Sequence, residues 1–403
     1  MVKLIFALSL FLSSAYSARA QDTKKHTAAS YFEKGEVSMG KKEYISAQAH
    51  FNECLRLDPY FAEAYRLRGM VREHLGEKAK ALTDYNVYVS LKPTDAEGLF
   101  SRAVLRFESD QFLLARQDFL LLLKLPPGET NTVYFSKEKY EPGNSKVFTA
   151  QSAGKDYFYN YLGVIETKLK RYPQAIVWLD SAIKLLPNTA NYWVNRGKAK
   201  QDLNDKTGAA ADFEHALQLE PENGLALYNL ATLKAAAGEV ASSDLLLSEA
   251  IEKNKGLPYP LAERAFQRFQ RNDLKGALAD YDEVIRLEPK DEENYINRGL
   301  VKERMKDLQG ALSDFSKAIA LNDKNEKGWL GHGNMMSLSG RWKEATEDYS
   351  VAISIDAQYG LAYYNRAIAY QYSGKPKEAC QDLKKAEQLS LKIEHTMKEK
   401  ICR

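Results

Sequence analysis

Three cysteines in 403 residues are too few to form a disulfide framework, and the six histidines are scattered rather than grouped. No H-E-x-x-H, G-x-S-x-G, G-x-x-x-x-G-K-[ST] or C-x-x-C occurs, so the metalloprotease, serine hydrolase, P-loop and thiol-redox motifs are all missing. Charge of one sign is missing too. The formal balance is +3, and nothing in it pulls the chain toward nucleic acid or anionic lipid. No apolar run comes near the roughly 20 residues that span a bilayer. The densest after the N-terminus, Phe119 to Leu123 with Leu125, sits where a buried second helix belongs. These absences predict a chain that is not an enzyme and takes no metal or cofactor.

What is present is repetition. From Ala190 to Asn223, Trp193, Gly197 and Leu203 fall on one side of a first helix, and Ala209, Phe213, Ala216 and Leu217 recur at helical spacing on a second. Asn204-Asp205 makes the turn between them. Gly197 and Ala209 are small where the helices cross, so the axes can approach to roughly 8–10 Å. Pro221 stops the second helix, because the residue before a proline is pushed out of the α region. Neither helix can bury its apolar face alone, so copies must stack.

Trp193, Gly197, Ala209, Phe213, Ala216 and Pro221 in this frame resemble the tetratricopeptide repeat, W-x2-L-G-x2-Y…A-x3-F…P. Arg196 stands where the family has Leu, and Lys200 where it has Tyr. The resemblance implies an all-α, right-handed α-solenoid of about ten helix pairs, with a superhelix that closes a turn in roughly eight repeats.

Repeats begin at Ala28, Ala62 and Ala96, covering 28–127. The pattern then lapses over 128–155, where Thr132 to Ser136 and Lys146 to Thr149 are rich in Val, Tyr, Phe and Thr around Glu141-Pro142-Gly143-Asn144. This insertion is expected to be a short β-hairpin or a loop, setting an offset between a three-repeat and a seven-repeat segment. Seven repeats follow over 156–391, from Asp156, Ala190, Gly224, Pro258, Glu292, Glu326 and Gly360. The sixth is the most degraded, with Ser243 for the crossing alanine and Lys255 for proline, and a local irregularity is expected there. Ile393, Met397 and Ile401 predict a C-terminal capping helix over 392–403, backed by Lys and Glu.

Lys3, the apolar stretch Leu4 to Leu12 and Ala18-Arg19-Ala20 have the layout of a signal peptide over residues 1–20. The mature chain is expected to start at Gln21 and to be periplasmic or secreted. Removing Lys3 and Arg19 takes the basic count from 57 to 55 against 54 acidic residues, a balance of +1. Cys54 takes a small-residue core position. Cys380 and Cys402 lie near the C-terminus, where they could bridge a last helix to the final repeat or remain thiols.

The family's groove is lined by the second, fifth, ninth and twelfth residues of each first helix. From that resemblance, Phe100, Phe107, Tyr228, Phe266, Phe269 and Tyr364 are the candidates for partner contact, since aromatics bury large areas at small entropic cost. The clamp that holds acidic chaperone tails is not expected: no repeat has Lys at the fifth position, and only Asn334 supplies Asn at the ninth. The expectation is a non-catalytic scaffold for peptide or protein partners, binding no nucleic acid and having no membrane span once mature. The alternative is a structural subunit of an envelope or secretion assembly that uses its convex face or the insertion.

Comparison of the repeats adds a structural expectation. Arg and Asp occur together at the seventh and twenty-third positions: Arg68 with Asp84, Arg102 with Asp118, Arg196 with Asp212, Arg264 with Asp280, Arg298 with Asp314, and Arg366 with Asp382. Both are absent together in three repeats (Lys34 with His50, Leu162 with Trp178, Leu230 with Leu246), and His332 faces Asp348 in the ninth. The joint loss predicts ion pairs beside each helix crossing.

Overall fold

A computed structural model describes residues 27–125, 133–137, 145–149 and 155–402. The leader at 1–20 and the turn at 141–144 lie outside the described residues. The rest divides into two compact units, with the division falling between Leu219 and Glu220 and not at the insertion.

The first unit holds five helix pairs. They are α1 (Ala28–Gly40) with α2 (Tyr44–Leu57), α3 (Ala62–His74) with α4 (Lys78–Leu91), and α5 (Ala96–Glu108) with α6 (Phe112–Lys124). After the insertion come α7 (Lys155–Lys168) with α8 (Tyr172–Leu185), and α9 (Ala190–Asp202) with α10 (Lys206–Leu219). Five more pairs form the second unit: α11 (Gly224–Ala236) with α12 (Val240–Lys253), α13 (Pro258–Gln270) with α14 (Leu274–Leu287), and α15 (Glu292–Arg304) with α16 (Leu308–Leu321). Then follow α17 (Glu326–Leu338) with α18 (Trp342–Ile355), α19 (Gly360–Tyr372) with α20 (Pro376–Gln388), and the terminal α21 (His395–Cys402). First helices open at the residues expected from the frame, except that α7 starts one earlier.

Each pair is folded by the same few devices. The fifteenth residue of every repeat has positive φ, whether glycine (Gly76, Gly238, Gly340, Gly374) or not (Lys42, Asp110, Lys170, Asn204, Asn272, Lys306). This left-handed residue lets the next amide reach back five residues, as Asp205 N–H does to the Lys200 carbonyl at 2.8 Å, and closes the first helix. Asp205, Asp273 and Asp307 then cap second helices by accepting from the amides of Gly208, Gly276 and Gly310 at 2.9–3.0 Å. At the crossing, a methyl on Gly197 would lie 2.6 Å from the Phe213 ring, so the close approach is real.

Val133–Lys137 and Ser145–Thr149 pair as antiparallel strands β1 and β2, Val133 opposite Thr149. The insertion does not separate its neighbours. Phe119 stacks on Tyr161 at 4.7 Å and Phe107 meets Tyr161 edge-on at 5.3 Å, so α5 and α6 pack directly against α7. The fully buried Glu166 of α7 accepts from Arg116 of α6 at 2.5 Å. In the sixth repeat, Ser243 is buried and its hydroxyl lies 3.2 Å from Gln267 Oε1, while Gly256 at φ +108° turns the chain just after Lys255, which stands where the five repeats before it have proline. That is the irregularity expected there.

Candidate functional site

The six groove aromatics have different surroundings. Phe100 lies between helices, 5.9 Å from Tyr157 and 6.0 Å from Phe158, and Phe107 packs on Phe112 and Tyr161. Tyr228 meets Tyr259 edge-on at 4.8 Å; burial, with a contribution from Glu263, pushes its phenol above its ordinary value. The Tyr364 hydroxyl lies 3.2 Å from Met397 Sδ, beneath α21. Phe266 is 49% exposed and so faces solvent. Phe269, one turn on, lines a cleft.

That cleft, of about 600 Å³, runs along the ends of α13, α15 and α17 and is lined by Phe269, Leu300, Glu303, Arg304, Leu308 and Leu338. Leu300 and Leu338 are 36% and 58% exposed, an apolar floor left open to water. The Arg304 guanidinium covers the Phe269 ring at 4.2 Å. Beside it, burial raises the Glu303 carboxyl above its usual range. An apolar floor with charges of both signs at its edge suits a peptide side chain anchored by hydrophobic burial and oriented by ionic contacts. Sequence reasoning found Phe266 and Phe269 through their groove positions; it missed Leu338 and Arg304, one residue outside the pattern.

Asn334, the residue singled out at the ninth position, accepts from Tyr349 Oη at 3.0 Å and from Asn365 at 2.9 Å. Among the described residues, no group of three or more His, Cys, Asp or Glu side chains is arranged to hold a metal ion. Nor is any helix there long and apolar enough to cross a membrane.

All six expected Arg–Asp pairs form. In each, Nε and Nη2 of the arginine donate to the two carboxylate oxygens of a nearly buried aspartate at 2.6–3.0 Å. His332 Nδ1 lies 2.7 Å from Asp348.

Two further positions escaped the pattern search. The eleventh residue of the first helix adds a second cation to the same aspartate in five repeats: Arg72, Arg106, Lys200, Arg268 and Lys302. The Lys200 departure from the family's tyrosine was the visible signal for it. The twenty-fifth residue of the preceding repeat accepts from Nη1 of the same arginine: Asn52, Asn86, Asp180, Ser248, Asp282 and Ser350, at 2.6–3.3 Å. Both sets lie in helix faces and were hidden by their varied chemistry.

Ten helix pairs of 34-residue period, six of them carrying the Arg–Asp ion pair, define an all-α tandem helical-repeat protein. Tetratricopeptide repeat models match residues 32–96, 190–223 and 361–392, and those segments are repeats of that family. None of these three spans touches 128–155, so the family likeness supports the helix pairs and not the inserted strands.

Among similar proteins, Superkiller protein 3 of Schizosaccharomyces pombe is 24% identical over 49% of this chain and 13% of its own length. Protein FlbA of Caulobacter vibrioides is 23% identical over 62% of this chain and 37% of its own. The chain thus spans well under half of either relative. A solved tetratricopeptide repeat protein from Parabacteroides merdae covers 68% of this chain and 98% of its own at 15% identity and a TM-score of 0.45.

Proposed function

We propose that this chain is an exported, non-catalytic scaffold that binds protein partners along the open faces of its first helices, without affinity for nucleic acid. Tetratricopeptide repeats serve protein–protein interaction. The observation that carries the finer reading is the open cleft lined by Phe269, Leu300 and Leu338, with Phe266 exposed one turn earlier on α13. A partner segment that places an apolar side chain there would bury this floor and meet Arg304 or Glu303 at the edge. Export is supported by the leader pattern and by the disulfide between Cys380 and Cys402, which fits an oxidising compartment.

The test is capture of partners from envelope extract on the mature chain and on a Phe266→Ala, Phe269→Ala variant. Loss of a captured partner, equivalent to about 2 kcal/mol or more in a subsequent titration, is expected for a hot spot. Undiminished binding by a folded variant rejects this cleft. Fractionation and N-terminal sequencing test export; a protein retaining residues 1–20 in the cytoplasm rejects it.

A further inference from the structure

On the 34-residue frame an eleventh repeat would open at Glu394, and α21 begins at His395. Met397 then takes the fourth position and Ile401 the eighth. In complete pairs the eighth residue is glycine or alanine, because a side chain of the second helix leans on it, as Phe315 does on Gly299. Ile401 is too large for that crossing. It is instead only 5% exposed, packed with Ala367, Ala379 and Leu383 of α19 and α20.

Three ties hold α21 to this face. Met397 Sδ meets the Tyr364 hydroxyl at 3.2 Å, Lys398 pairs with Glu387 at 2.6 Å, and Cys402 is bonded to Cys380 with their Cα atoms 4.9 Å apart. A helix of eight residues is marginal in water by itself, so the covalent tie weighs heavily. Both cysteines are half-buried, Cys380 at the start of the second turn of α20 and Cys402 at the end of α21, within reach of an attacking thiolate.

We propose that the Cys380–Cys402 disulfide is a latch that keeps α21 over a docking face on α19 and α20, and that a protein dithiol opens this face to an amphipathic helix of another protein. α21 itself displays the ligand chemistry: two apolar residues four apart, Met397 and Ile401, with a lysine after the first to meet Glu387. The opening step is thiol–disulfide exchange. One thiolate of the dithiol attacks a cysteine sulfur, forming a mixed disulfide and expelling the other cysteine as thiolate. The second thiol of the dithiol then attacks the first one's sulfur and expels the chain's remaining cysteine as thiolate, so two electrons and two protons pass to Cys380 and Cys402 while the dithiol becomes a disulfide. The released helix uncovers Tyr364, Leu383 and Ala367.

The test uses the full chain, oxidised or treated with dithiothreitol, and a fluorescent peptide spanning residues 391–402 with Cys402→Ser. Amide exchange in α21 should quicken by at least about tenfold on reduction, out of the roughly hundredfold a tether of this loop length supplies, with α13 to α18 unchanged. The peptide should bind the reduced chain at least about tenfold more tightly than the oxidised one. A Cys380→Ser, Cys402→Ser variant should behave as the reduced protein without any dithiol. Equal α21 exchange in both states overturns the latch. Peptide that binds both states alike, or neither, overturns the docking face.

Discussion

The recurring pair can be measured at Arg298 and Asp314. Asp314 is 3% exposed, receives Arg298 Nε and Nη2 at 2.9 and 2.6 Å, and also holds Lys302 at 2.8 Å. The hydrogen bonds that Arg298 donates to Asp314, more than any other interaction, raise its guanidinium above its ordinary value. Stranding one member of a buried pair costs about 3–5 kcal/mol. Arg298→Leu leaves Asp314 with Lys302, so the expected loss is smaller, about 2 kcal/mol, close to what charge-assisted hydrogen bonds contribute. Asp314→Leu strands Lys302 and leaves Arg298 with Asp282 alone, and should cost about 3 kcal/mol or more. Because the aspartate is then gone, adding Arg298→Leu should cost little, giving a coupling of about 2 kcal/mol in the cycle. Arg366→Leu is the comparator. Its repeat has Tyr370 at the eleventh position, no second cation supports Asp382 from there, and the loss should exceed that of Arg298→Leu. Repeat arrays can open in parts, so urea unfolding by circular dichroism should be paired with amide exchange in α15 and α16. A coupling below about 0.5 kcal/mol would refute the reasoning.

Lys170 sits at φ 59° in a turn where four other repeats have glycine; Lys170→Gly should raise stability by about 0.5–1 kcal/mol in urea titration. Burial pushes the Cys54 thiol up to about 11, so a thiol reagent at pH 7.5 should leave it unlabelled in the native chain and label it in denaturant. The Glu303 carboxyl is raised by burial, so its protonated form is favoured on folding. Its contribution is therefore present below its ordinary value and lost as pH rises through the raised folded value. Glu303→Gln should flatten that fall and be no less stable than the parent at pH 7, as read by thermal unfolding across pH 4 to 8.

The frame was legible because each repeat spends the same few positions on the same steric problem. Gly197 against Phe213 and the six Arg–Asp pairs could be found by comparing the chain with itself. At the eleventh position Lys200 in place of the family's tyrosine was the one visible sign, since arginine and lysine alternate there, and the twenty-fifth was not legible, since Asn, Asp and Ser alternate. Glu166 was missed because it inverts the charge of its position to meet Arg116. The groove candidates show the limit of periodicity. Position locates Phe100 and Phe266 on equivalent faces, but only the neighbouring rings decide that one is packed and the other solvated. The boundary at Leu219 leaves no composition signal, whereas the insertion leaves a strong one and separates nothing.

Every arginine of the ladder is bonded both to its own repeat and to the one before, yet the acceptor behind it is interchangeable. Asparagine, aspartate and serine all serve, at equal sequence distance. Removal of residues 258–291 would bring Arg298 up to Ser248, which already accepts from an arginine of the same register. The joint would close without a stranded charge. Such a chain can gain or lose whole repeats by unequal recombination and remain foldable at each step, so its length is a freely heritable variable, while its register is not.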